Sequence, residues 1–473
     1  MKLSALALLI LFISGSSLSR AATLTLEDYL AQVEGKNQYI SAAKDASKGA
    51  GLSTAEAELV YSPALFAEVN FLDNHFRNAL FPSAYRSLQS DTYTVGIRQE
   101  TAFGLKGSLS YLYSHQGYLG TLDQQTLQFI DRRFWEGTPK LELSLSLWRN
   151  FRGEETRANE SIVRSNALAR QYNESFQVKA TRAEAESTYV RLVSAQQLVN
   201  LYKESFSDAQ DILSWNNKRM QRNLGETADV LQAQGNFEAQ KLSLQASVDE
   251  EKVAARNFNR FRNLDSDTVP ESLSLPGIEG LTPPARSEVR DDVKAAQENA
   301  RLQAAQGRLG IERNSPTLEA YGSVALNARE SSGTDTFSRS FQSGQQTTLW
   351  GVRLNIPMAI SLSSDVRHGY ELERNAAETL VSQKLFDQEV EWKDLVQQLS
   401  DAKRRYDIAG SLSKIQRRKV ANERIRLHSG RTTTYQTLIF NIDFNSAEVA
   451  RIQAQSSVLN ILARMKTYGE SKL

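Results

Sequence analysis

The sequence contains no cysteine. That excludes disulfides, cysteine-based zinc sites, thiol catalysis and a lipid anchor on an N-terminal cysteine. Proline (9) and glycine (25) are sparse for 473 residues, which favours long regular elements. Neither sign of charge dominates: the net charge is +1, so nothing points to a nucleic-acid partner or a strongly charged substrate. Apolar runs of membrane-helix length are missing too. The apolar stretch Leu3 to Ile13 is too short to cross a bilayer. With Lys2 before it and Ser19 and Ala21 behind it at small-x-small spacing, it predicts a signal peptide over 1–21. The expectation is an exported chain without a transmembrane helix.

Recognisable catalytic chemistry is also wanting. His75, His115, His368 and His428 are scattered and lack ligand spacing. The segment KGAGLST (48–54) faintly resembles a phosphate loop, but no strand precedes it and no GK[ST] ends it. Its small residues read instead as an allowance for close helix packing. No Ser-His-Asp or nucleophile-elbow pattern is present, and the many acidic pairs read as solvated helix faces. No catalytic, cofactor-binding or metal-binding residue is assigned, and the expectation is a protein that is not an enzyme.

What the sequence does contain is a repeat. YSPALFAEVNFL (61–72) and NSPTLEAYGSVAL (314–326) both follow a helical, Ala- and Glu-rich segment. Further on, RNLGETADVLQA (222–233) resembles LHSGRTTTYQTL (427–438), each a short turn between long helical patterns. The first half carries about 48 more residues than the second, within 73–138. Between the halves, 264–286 holds four prolines and reads as a linker. The chain divides into a first repeat, 22–263, the linker, 264–286, and a second repeat, 287–473. Each repeat runs helix, strands, long helix, turn, long helix.

Each Ser-Pro ends a helix, because proline removes a backbone donor and disfavours helix at the residue before it. The pattern then changes to period two. Leu65, Ala67, Val69 and Phe71 alternate with Glu68 and Asn70; Leu318, Ala320, Gly322, Val324 and Leu326 alternate with Thr317, Glu319, Tyr321 and Ser323. LELSLSLW (141–148) and LWGVRLNIPM (349–358) behave alike. These runs of about ten residues match a tilted strand crossing a bilayer. Phe71, Trp148 and Trp350 near their ends fit an interfacial girdle. A soluble sandwich with one wet face has the same pattern. A further hairpin, 93–101 with 105–114, could add two strands to the first half.

The segment 154–222 has no proline and no glycine, so one helix of about 100 Å is expected. Apolar residues recur every seven at Leu192, Val199, Phe206 and Leu213, and at Leu385, Trp392, Leu399 and Tyr406. The returning helices carry Val230, Phe237, Leu244 and Phe258, with Glu251 interrupting, and Tyr435, Ile442 and Val449. Heptads of this kind imply coiled-coil-like packing. They would also suit a structural periplasmic or surface scaffold without a pore. Strands in lipid must close into a barrel, and four to six are too few to enclose a channel, so several chains would share one.

This layout resembles the outer-membrane efflux protein family of TolC-like channels over essentially all of the mature chain. The stretches that carry the resemblance are SPALFAEVNF, SPTLEAYGSV, EVRDDVKAAQENARLQAAQGRLG, NLGETADVLQAQ and HSGRTTTYQTL. It implies a mixed α and β, internally duplicated fold: a long coiled-coil α-helical barrel plus a transmembrane β-barrel shared by a homotrimer. The location implied is the outer membrane of a Gram-negative cell, in contact with its lipid, with a long periplasmic extension. The function implied is an exit duct for tripartite efflux or type I secretion. A periplasmic adaptor and an inner-membrane pump of RND or ABC type would be the partners. By that resemblance the adaptor-docking tips are Asn223, Leu224, Gly225, Glu226 and Thr227, and Ser429, Gly430, Arg431, Thr432 and Thr433, centred on the two glycines. Family members often have acidic residues lining a gate just after these glycines. Here Gln436 and Ile439 stand there, with Asp229 and Asp443 nearby, so those four are the gate candidates and a polar or apolar constriction is as compatible as a charged one. LWRNFRGEETRAN (147–159) lacks the proline often found before the first long helix.

Overall fold

The computed structural model describes residues 23–77, 85–122, 128–342, 344–358 and 360–469. The signal peptide expected over 1–21 lies outside the described residues. Strand β1 (Thr23–Leu24) leads into helices α1 (Leu26–Lys36), α2 (Gln38–Ser53) and α3 (Glu56–Leu59). Strands β2 (Ala64–Asn74), β3 (Ser87–Glu100), β4 (Leu105–Leu122) and β5 (Phe129–Ser146) follow, then helices α4 (Glu154–Gln221) and α5 (Thr227–Phe261). Beyond β6 (Ser272–Leu273) come α6 (Asp291–Arg313), β7 (Thr317–Leu326), β8 (Ala328–Glu330), α7 (Gly333–Arg339) and β9 (Gln346–Asn355). Helices α8 (Ile360–His428) and α9 (Thr434–Met465) come last. The mixed helix and strand class expected from the sequence is what forms.

Two compact units are present. One draws on Ala46–Glu174 and Asp291–Asp387 and holds the large sheet; the other draws on Met1–Asp45, Ser175–Arg290 and Gln388–Leu473 and is mainly helical. In the first, the strands run antiparallel in the order β2-β3-β4-β5-β7-β9, and β8 pairs with β5. The period-two runs form β2, β7 and β9, of 11, 10 and 10 residues. Strand β5 is longer than the run at 141–148 suggests, at 18 residues. Its first part, FIDRRFWEGTPK, alternates poorly and contains Pro139. The chain tolerates that proline because β5 pairs with β8 at Trp135–Gly137 and with β7 only from Lys140, so no ladder bond is lost between them. The hairpin at 93–114 is formed by β3 and β4, joined through Gly104 at φ 83. The small residues of KGAGLST lie in α2, where a Cβ at Gly51 would sit 3.1 Å from the Gln171 side chain.

In the helical unit, Tyr29 of α1 stacks on Phe258 of α5 at 4.2 Å and lies 5.6 Å from Tyr189 of α4. The Tyr189 hydroxyl donates to the carbonyls of Leu24 (2.9 Å) and Ser274 (3.0 Å), tying the parallel β1–β6 pair to the helices. The segment read as a linker is therefore packed. Farther along it, Ile278 is buried with Leu395 and Leu399 of α8 and Val458, Leu462 and Met465 of α9.

The heptads on α4 hold: Leu192 and Val199 are buried, and Phe206 packs on Phe237 at 5.0 Å. On α9 the expected phase is wrong. Tyr435 and Ile442 are at least half exposed, while Leu438, Ile452 and Leu459 are buried. The buried row is displaced by three residues, and its remaining member is Asn445, which accepts a hydrogen bond from the Ser205 hydroxyl at 2.8 Å. A polar residue inside the stripe hides its phase from a search for apolar repeats.

Candidate membrane face and helix tips

The ladder of the sheet places Leu65, Ile97, Leu109, Leu141 and Val324 directly opposite one another across five strands. All five are between 45% and 76% exposed. The same face carries Val69, Val95, Leu143, Val352 and Leu354, also exposed. The opposite face is largely polar, with Glu68, Thr94, Arg98, Ser108, Ser110, Glu142, Ser144, Ser323 and Arg353. In a soluble sandwich the apolar face would be covered by a second layer; here, among the described residues, the ladder from Leu65 to Val324 stays exposed, and α7 covers the face only beyond it, over β4 and β5. Strands β2 and β9 are the two edges of the sheet.

Of the aromatic residues singled out in the sequence, Phe71 and Trp350 are strongly exposed on this face. Phe71 opposes Asp91, whose row continues through His115 to Trp135 on β5. The Trp350 row passes through Gly322 to Leu143, about eight residues along the same strand. Trp148 lies past the end of β5, in the turn into α4, where it bridges to Asn150. That turn does without proline by using Asn150 (φ 58), Arg152 (φ 54) and Gly153 (φ 77). A Cβ at Gly153 would collide with the Ala102 carbonyl. The Asn150 carboxamide accepts from the Thr156 amide at 3.1 Å, and its backbone amide donates to Glu312 at 3.0 Å. Arg149 grips Glu155 through two bonds of 2.9 and 3.0 Å and holds its carboxyl below the ordinary value. These residues line a cleft of about 330 Å³ with Glu100, Lys106 and Glu319.

The two helix tips close alike. At the end of α4 the Leu224 amide donates to the Arg219 carbonyl (2.9 Å) and the Asn223 amide to the Met220 carbonyl (2.9 Å). At the end of α8 the Arg431 amide donates to the Arg426 carbonyl (2.9 Å) and the Gly430 amide to the Leu427 carbonyl (3.0 Å). Both are Schellman ends, with a left-handed residue at the first position past the cap. That residue is Asn223 (φ 54) in one and Gly430 (φ 65) in the other. Arg219 donates to the Leu224 carbonyl at 2.8 Å, and Arg426 to the Arg431 carbonyl at 3.3 Å. The geometric counterpart of Gly430 is thus Asn223, two residues from the match with Gly225 that the sequence offers. Asparagine enters the left-handed region readily, and this allows the glycine to move. Gly225 serves close approach instead: a Cβ there would sit 3.3 Å from the Arg219 Cβ. Glu226 precedes α5 without a side-chain cap, whereas the Thr433 hydroxyl caps α9 by accepting from the Gln436 amide at 3.2 Å. Thr227 and Thr434 are the first residues of α5 and α9, and Ser429 and Thr432 complete the second turn.

Behind the tips the buried Thr434 hydroxyl donates to the buried Asn216 carboxamide at 2.8 Å, beside a cluster of Ile212, Ala233, Leu427 and Leu438. Glu423, also buried, accepts from Thr432 and pairs with Arg426 at 3.3 Å. Asp229 stands in the first turn of α5, and Gln436, Ile439 and Asp443 follow one another along α9; among the described residues no hydrogen bond joins any two of these four. An ion pair that the sequence reading missed, Asp208 with Arg424, joins α4 to α8 beside Glu204 and Arg417. Burial pulls the Arg424 guanidinium below its ordinary value, opposed by the charge of Glu204. Its two members are 216 residues apart, and a charged residue on a helical pattern carries no local sign of its partner.

No protein-family model matches the chain, and no curated protein matches it. Solved structures do. The CmeC outer membrane channel of Campylobacter jejuni is 14% identical with a TM-score of 0.64, over 94% of this chain and 85% of that one. The outer membrane protein VceC of Vibrio cholerae is 14% identical with a TM-score of 0.64, over 94% of this chain and 96% of that one. The Neisseria gonorrhoeae MtrE outer membrane channel in its open state is 15% identical with a TM-score of 0.64, over 95% and 89%. At these identities the likeness is one of fold, and it extends over nearly the whole chain.

Proposed function

We propose that the chain is one subunit of an outer-membrane exit duct, a passive conduit from periplasm to exterior in a tripartite efflux or type I secretion system. The observation that carries this reading is the exposed apolar ladder, in register across the sheet, within a fold shared with outer-membrane channels. Lipid is the solvent such a face requires, and lipid leaves no strand edge unpaired. The free edges β2 and β9 would close against other copies of the chain. Three copies, each with the path of six strands, reach the roughly 16–18 strands at which barrels leave an aqueous channel.

The aromatic positions support the same reading. If Phe71 and Trp350 mark one interface, their rows differ by about eight residues over five strand spacings. At about 3.3 Å per residue and 4.8 Å per spacing the strands tilt by roughly 45°, close to the 35–45° of membrane barrels. The polar face would line the lumen. The paired helices of both repeats would continue the duct into the periplasm, and the tips at 223–227 and 429–433 would meet an adaptor that couples to an inner-membrane pump. The matching Schellman ends favour an internal duplication.

The deciding experiment is electron microscopy of the detergent-extracted protein. A three-fold particle with a hollow helical stem is expected. A solid rod, or a monomer soluble without detergent, would replace the duct with a scaffold.

A further inference from the structure

Helix α7 lies on the apolar face of the sheet, against β4 and β5, one to two rows beyond the ladder that contains Leu109 and Leu141. Thr336 and Ser340 are fully buried beneath it. Glycines permit the close approach: a Cβ at Gly137 would sit 2.6 Å from the Tyr111 hydroxyl and 3.1 Å from Ser340, and one at Gly333 would collide with the Tyr113 hydroxyl. The Tyr111 hydroxyl is 3.1 Å from that of Ser340. The flank of α7 toward Tyr111 is aromatic. Phe341 stacks on Tyr111 at 5.6 Å and Phe337 meets it edge-on at 5.6 Å, yet both phenylalanines remain more than half exposed. Another flank is polar, where Arg339 pairs with Glu330 at 2.7 Å.

Tyr111 is one alternation from Leu109 on the same strand face, so this cluster adjoins the upper border of the bare apolar band on β4 and β5. Residues with an apolar body and a wet neighbourhood gather at that depth in membrane proteins. We infer that α7 is an interfacial anchor: Phe337, Phe341 and Tyr111 sit at the headgroup–acyl boundary of the outer leaflet, and lipid covers their exposed faces. The commitment to lipid rests on the proposed membrane reading of the sheet and on the continuity of the cluster with that band. Among the described residues of the sheet, only β4 and β5 run to 18 residues; α7 braces the part of that hairpin that projects past the band.

The absence of cysteine makes depth measurement direct. Single variants F337C, F341C, V352C and R431C would carry a nitroxide label in the full-length protein, reconstituted into phosphatidylethanolamine–phosphatidylglycerol vesicles. Collisions with oxygen and with a water-soluble nickel chelate would be read at each site. Val352 is expected to favour oxygen several-fold over Arg431, with Phe337 and Phe341 between the two. With Val352 in lipid, labels at 337 and 341 that match Arg431 would show an aqueous helix and overturn the anchor. Labels shielded from both reagents would show a protein partner and overturn it equally. A label at Val352 that itself matches Arg431 would sink the membrane reading and the anchor with it. Either phenylalanine site alone suffices for the reading.

Discussion

Asn223 and Gly430 occupy the same position in two separate helix ends, each left-handed and each donating to the carbonyl three residues before it. The two positions differ in side chain, so they should differ in tolerance. Gly430→Ala places a Cβ in the left-handed region and is expected to cost about 1–2 kcal/mol. Among the described residues, nothing beyond its chain neighbours lies within 4 Å of that Cβ, so the cost is conformational. Asn223→Gly should be close to neutral. Thermal unfolding of the detergent-extracted protein, followed by helical circular dichroism, reads both. An unchanged midpoint for Gly430→Ala would contradict the assignment.

The Asn216–Thr434 bond behind the tips is buried at both partners. Thr434→Val leaves the Asn216 carbonyl without its donor and should cost about 1–3 kcal/mol. Replacing both, with Asn216→Leu and Thr434→Val, should recover much of that loss, because no orphaned polar group remains. Chemical denaturation of the four members of the cycle gives the coupling. Additive effects would mean that the bond contributes little.

The two faces of the sheet predict opposite responses to charge. Leu109→Arg places a cation on the apolar face, which the proposed membrane reading sets in lipid, at an expected cost of about 2–4 kcal/mol, and Leu143→Asp and Val352→Asp should block membrane assembly. Ser110→Arg, one residue away on the other face, should assemble normally. A cysteine at Glu142 should react with a membrane-impermeant maleimide from the lumen. Equal loss of assembly in Leu109→Arg and Ser110→Arg would mean that the faces are not distinguished by solvent.

Acid should loosen the junction between β5 and α4. The Arg149 bonds depress the Glu155 carboxyl, so the folded state holds its proton less tightly than the unfolded state. Its stabilisation is complete above the unfolded value of about 4.3 and is lost as pH falls through the depressed one. Glu155→Gln should lower the melting temperature at pH 7 and show a flatter decline below pH 5 than the parent chain. Parallel melting curves across that range would exclude the linkage.

Much of the fold is legible locally. Ser62-Pro63 and Ser315-Pro316 mark where helix gives way to strand, because a proline acts on its own backbone and on the residue before it. The uninterrupted span after Gly153 marks α4 for the same reason. The apolar face is legible as alternation at 64–72 and 317–326, but alternation is shared with soluble sheets, and what separates the two is the exposure of the ladder from Leu65 to Val324. Both tips are legible as turns. The equivalence of Asn223 with Gly430 is not, since a residue other than glycine fills the special backbone position.

The sequence by itself determined the periods, the breaks and the number of long elements, because each depends on a residue and its immediate neighbours. The tertiary structure alone decided the register that aligns Leu65 with Val324, the phase of α9, the pairing of Asp208 with Arg424 and the seat of α7 over Tyr111. Those choices join residues far apart in the chain. Each is settled by which arrangement buries apolar area and satisfies polar groups together, a comparison that no local pattern contains.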